Sequence, residues 1–119
     1  MNTLSFLFST AIILTAAVSN AKEPVRNCAA PERWAPSMAQ VQLKNAGLLK
    51  NEEYDFTKTK VTLLAMEKTK RDLFHQVMKV VFVKKNGLET TAITENDASN
   101  EECSISKVTV YVVEKTLGP

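Results

Sequence analysis

Residues 73–83 (Leu-Phe-His-Gln-Val-Met-Lys-Val-Val-Phe-Val) form the most β-prone stretch of the chain, and their centre is apolar on both alternating faces. Neither Gly nor Pro interrupts them. A run of this length and composition reads as a strand with neighbours on both sides, a central strand of a sheet. Everything else must be arranged around it.

The flanking segments supply those neighbours. From Tyr54 to Met66 the pattern alternates, with Phe56, Lys58, Lys60, Thr62, Leu64 and Met66 on one face and Thr57, Thr59, Val61, Leu63 and Ala65 on the other. This predicts a long strand. After Lys84-Lys85, Asn86-Gly87 is a hairpin signal, because both residues tolerate positive φ. The return strand is expected over Leu88–Thr94 and a polar, acidic loop over Glu95–Glu102. A last strand is expected over Ser104–Lys115, with Val108, Val110 and Val112 on one face. Ahead of the strands, the spacing of Met38, Val41, Ala46, Leu48 and Leu49 predicts a helix over 37–50. Ser37 is its expected N-cap and Gly47 either an interior flaw or a C-terminal cap. Residues 22–36 hold three prolines and read as an extended arm carrying Trp34, the only tryptophan. The fold class is therefore α+β: one N-terminal helix packed on a four-stranded antiparallel meander. An exposed edge strand of such a sheet offers a route to a homodimer.

The first residues describe an address. Residues 4–18 are apolar and uncharged, and Ser19-Asn20-Ala21 places small side chains where a signal peptidase needs them. Residues 1–21 are thus expected to be a signal peptide, with cleavage after Ala21. The rival is an uncleaved anchor, but a span needs about 20 apolar residues. The domain plan is a signal peptide at 1–21, an extended arm at 22–36 and a single α+β domain at 37–119, in a periplasmic or secreted setting. An oxidising compartment favours pairing of the two cysteines, Cys28 and Cys103. An intermolecular bridge or two free thiols are the alternatives.

Composition and motifs narrow the chemistry. The 15 Lys+Arg against 13 Asp+Glu leave a formal charge of +2, without the footprint of a nucleic-acid binder. Three glycines, at 47, 87 and 118, cannot build a phosphate loop. Two cysteines and the single His75 lack the close spacing of a metal site. His75, the only histidine, lies among strand residues, and a Cys28–Cys103 bridge would leave no Cys/His dyad, so no enzyme, cofactor or metal is expected. Asn96, Asp97, Asn100, Glu101 and Glu102 offer oxygen atoms without the EF-hand spacing.

The outline of helix and meander is similar to the cystatin-like arrangement, in architecture only. The protease-plugging Gln-x-Val-x-Gly motif is missing, since Gln40-Val41-Gln42 has no glycine at the matching place. A second resemblance covers residues 54–119. Asn96-Asp97-Ala98-Ser99-Asn100-Glu101-Glu102-Cys103-Ser104, then Val110-Tyr111-Val112-Val113 and Leu117-Gly118, resembles the ends of small exported proteobacterial proteins of unassigned function. That resemblance implies a bacterial envelope or secreted setting and carries no activity. The function expected is a non-enzymatic binding protein of inhibitor, immunity or envelope-accessory type, with another protein or an envelope component as partner. Its expected surface is the 95–102 loop, with Asp97, Glu101 and Glu102, flanked by Trp34 and Tyr111. The alternative is a small apolar-ligand carrier whose pocket between helix and sheet would be lined by Met38, Met66, Met78 and Phe82.

Overall fold

The central strand organises the structure, a computed structural model that describes residues 27–115 together with Leu117 and Gly118. The expected signal peptide at 1–21 and residues 22–26 of the expected arm lie outside the described residues. Strand β2 (Leu73–Val83) pairs antiparallel with β1 (Lys60–Lys70) on one side and β3 (Glu89–Ser99) on the other; β4 (Thr109–Val113) pairs with β3. The sheet order is β1-β2-β3-β4, and one helix, α1 (Trp34–Asn45), packs on it.

The helix begins earlier than its apolar spacing indicates. Trp34 opens it, and Ser37 lies inside, its N–H donating to the Arg33 carbonyl at 3.0 Å. Ser37 is therefore not the cap; Arg33 holds that position without a side-chain cap bond. Pro36 is tolerated because the first-turn amides of a helix have no intrahelical acceptor, so a missing N–H there costs nothing. The far end is a Schellman cap. Gly47 takes φ +73°, its N–H donates to Lys44, and the Leu48 N–H reaches back to Leu43 at 2.9 Å. Leu49 then turns under the domain and is fully buried.

The strands also differ from the sequence pattern in three places. Tyr54 makes only an isolated bridge to Lys84, and a 3₁₀ turn at Phe56–Lys58 delays β1 to Lys60. The Asp55 carboxylate accepts from both the backbone N–H and the hydroxyl of Thr57, which favours the turn over a strand. Within β1 a bulge between Leu63 and Ala65 inserts one residue, so Met66 joins Val61 and Leu63 on one face while Ala65 joins Thr62 on the other. The β2–β3 turn uses positive φ at Gly87 alone; Lys84 N–H to Leu88 and Gly87 N–H to Lys84 close a three-residue loop with a glycine bulge.

Burial alternates along β2 and β3. Met78, Val80, Phe82, Ala92, Thr94, Asn96 and Ala98 point inward. Ala39 and Leu43 of α1 meet Leu49, Tyr54, Val80, Phe82 and Ala92, and the Tyr54 ring stands edge-on to Phe82 at 6.0 Å. Gln40 donates to the Tyr54 hydroxyl, and the Lys44 ammonium lies 5.6 Å from that ring's centre. A second cluster joins Ala35, Met78 and Val108 to Cys28.

Cys28 and Cys103 form a disulfide, with Cα atoms 5.4 Å apart and a sequence separation of 75. It ties the segment before α1 to the segment before β4. The bridge is seated by two buried amides. Gln76 and Asn96, register partners on β2 and β3, donate to the Cys103 carbonyl at 2.8 and 3.0 Å. Closing so long a loop restricts the unfolded chain. Replacing both cysteines by serine is expected to lower unfolding free energy by about 4 kcal/mol in the chain-entropy picture. Urea unfolding of the two proteins, compared without reductant, checks this; equal midpoints would show that the bridge contributes nothing.

Candidate functional site

The helix occupies one face of the sheet, and the side chains of the opposite face are half-exposed or exposed, except for buried Val81. Register places on that face Lys60, Thr62, Ala65 and Glu67 from β1, His75, Val77, Lys79 and Val81 from β2, Thr91, Ile93, Glu95 and Asp97 from β3, and Thr109, Tyr111 and Val113 from β4. Its acidic end carries a chain of contacts across three strands. His75 Nδ1 lies 2.8 Å from Asp97 Oδ1, and His75 Nε2 lies 3.6 Å from Glu95 Oε2. The Tyr111 hydroxyl donates to Glu95 Oε1 at 2.8 Å.

The backbone dictates this meeting. His75 and Asp97 are directly opposed in the β2–β3 ladder, and Glu95, two residues back, falls on the same face. Tyr111 opposes Ile93 and leans toward its diagonal neighbour Glu95. The Asp97 N–H is held by the Ser106 hydroxyl at 2.8 Å, which anchors the strand where it leaves the β4 pairing.

Electrostatics follow from the contacts. The hydrogen bond to Asp97, with the charges of Asp97 and Glu95, raises the His75 pKa above its ordinary 6.5, against a smaller opposing effect of burial. The bond donated to Glu95 raises the Tyr111 pKa, because ionisation would break it and oppose two negative charges. His75 resembles the histidine of a hydrolytic triad only on its Asp97 side. Its other nitrogen faces the Glu95 carboxylate, where a nucleophilic hydroxyl would have to stand. Among the described residues, no group of three or more His, Cys, Asp or Glu side chains is arranged to hold a metal ion.

Of the residues singled out from sequence, Asp97 and Tyr111 lie on this open face. Asp97 belongs to β3, which runs on to Ser99, so the expected acidic loop is strand from Glu95 to Ser99. Glu101 and Glu102 are exposed in the true loop beyond it, where both N–H groups donate to the Ser99 hydroxyl. A shallow hollow there is lined by Asp72, Ser99, Asn100 and Glu101. Trp34 is 59% exposed, but it opens α1 and so belongs to the opposite side of the sheet from Tyr111. Cys28 and Cys103 lie near that covered side, against Ala35, Met78 and Val108. Sequence reasoning passed over Glu95 as loop and His75 as an ordinary strand residue. The available signal was the alternation of outward Glu95 and Asp97 with inward Thr94, Asn96 and Ala98, obscured because the inward residues are polar or small.

Met78 and Phe82, expected walls of a ligand pocket, are instead fully buried in the core. Met66 is exposed on β1. Comparison with known proteins gives no match: no family model, curated protein or solved structure matches the chain.

A pH dependence follows. The raised His75 pKa stabilises the fold fully below about pH 6.5, and that contribution disappears as pH rises through the folded-state value. Glu67, opposite His75 on β1, is the further charge facing it. Because His75 is the single histidine and no free cysteine exists among the described residues, the alkaline loss of stability between about pH 6 and 8.5 should flatten in His75→Gln. Denaturant midpoints measured across that window test it. An unchanged slope in the variant would remove His75 as the cause.

Proposed function

We propose that the protein is an exported, non-enzymatic binding protein whose open sheet face docks another protein of the bacterial envelope or secreted fraction. One observation carries the reading. Four polar side chains from three adjacent strands (His75, Glu95, Asp97 and Tyr111) are fixed by bonding to one another on a half-exposed face. Side chains already held in place lose little conformational freedom when a partner arrives. Val77 and Ile93 beside them supply apolar area, while Glu95 and Asp97 favour a basic group on the partner. Tyr111, 50% exposed with its hydroxyl tethered, suits the aromatic anchor of such an interface. The apolar leader and the Cys28–Cys103 bridge support an address outside the cytosol.

The test is capture by immobilised protein from envelope and secreted extracts, comparing the wild type with Tyr111→Ala, Glu95→Ala and the loop pair Glu101→Ala/Glu102→Ala. The reading expects a bound protein to be lost with the first two and retained with the loop pair. Retention by both face variants would sink the proposed surface. Loss only with the loop pair would move the site to the end of the sheet.

A further inference from the structure

We infer that β1 is a homodimerisation edge, at which a second copy of this chain adds its own β1 in antiparallel register with Leu63 on the two-fold axis. β1 is an outer strand of the sheet and, at 11 residues, more than twice the length of β4 at the other edge. Its outer N–H and C=O groups have no ladder partner among the described residues, which is the arrangement that recruits another strand. Charged side chains are among the devices by which proteins guard such an edge. Here the middle is Val61 to Met66, with no charged residue, and Leu63, Leu64 and Met66 are 42%, 51% and 36% exposed. Its charges sit toward the ends, at Lys60, Glu67, Lys68 and Lys70.

The occupant follows from complementarity. Pairing with β2 shows that Lys60, Thr62, Ala65 and Glu67 share the open face, while Val61, Leu63, Met66 and Lys68 share the helix side. The bulge at Leu64 produces this division. Antiparallel neighbours must set like faces opposite each other. With Leu63 opposite itself, Thr62 meets Ala65 of the second copy, Val61 meets Met66, and Lys60 meets Glu67. Two-fold symmetry repeats each of these pairs. Every opposed pair is then apolar, small or oppositely charged. The single acidic residue of β1 meets a lysine, and the exposed leucine lies against its own copy. The helix is no obstacle, because α1 packs on residues of β2, β3 and β4 and its cluster reaches β1 only at Val61, leaving Leu63 to Lys70 clear. The product is an eight-stranded continuous sheet whose two open faces form one surface.

Sedimentation equilibrium over a concentration series tests the pairing, because Lys60 and Glu67 are exposed and their reversal leaves the core untouched. The wild type should pass from monomer to dimer. Lys60→Glu and Glu67→Lys should each weaken association about tenfold or more, since each sets like charges opposite one another twice. The double reversal should restore it. Leu63→Lys, which puts two ammonium groups at the axis, should abolish the dimer while circular dichroism stays that of the wild type. A monomer up to about 1 mM overturns the inference. So does a dimer that the single reversals leave intact, or one that the double reversal fails to recover.

Discussion

One twelve-residue helix cannot cover a four-stranded sheet, and most features of this protein follow from that mismatch. A helix of this length spans about 18 Å and is about 10 Å wide, whereas strands are spaced about 4.8 Å apart. It therefore hides roughly two strands of one face. Ala35 and Ala39 present small side chains that let α1 settle closely onto Met78, Val80, Phe82 and Ala92, and Leu43 fills the core beside them. Among the described residues, the sheet beyond this footprint is open in two directions: across the opposite face except at buried Val81, and along β1 past Val61.

The covered face is not filled by apolar residues alone. Gln76, Thr94 and Asn96 are buried beside the disulfide. Gln76 donates to Asn96 Oδ1 at 3.1 Å as well as to the Cys103 carbonyl. Buried amides require partners, so this pair specifies where the chain from Cys103 toward β4 must lie. The disulfide adds an entropic constraint to the same point. Sulfur bridge and amide clamp together place β4 beside β3, under the start of α1 at Ala35. The Ser106 hydroxyl on the Asp97 N–H completes the attachment.

Strong periodicity made β2 legible from end to end, and the meander order followed from the short connections around it. Boundaries set by hydrogen bonds were harder to read. The start of α1 depended on the tolerance of its first turn for Pro36. The delay of β1 came from the Asp55–Thr57 turn, and the face assignment past Leu63 from a bulge with no residue signature of its own. The second half of β3 was hidden for another reason: its inward positions are Asn96 and Ala98, polar or small, and they acquire meaning only against Gln76 and Cys103. The candidate site inherited this difficulty. Asp97 and Tyr111 could be singled out, but His75 and Glu95 join them only once the register is known.

The two-faced character of the sheet can be measured directly by NMR, through broadening of methyl resonances by a soluble, uncharged paramagnetic chelate. If α1 covers half of one face and the other stays open apart from Val81, the methyls of Val77, Ile93 and Val113 will broaden. Those of Leu43, Leu49 and Val80 will remain sharp. Protection of Val77 and Ile93 equal to that of Val80 would mean that the opposite face is covered, and the account of this protein would fail.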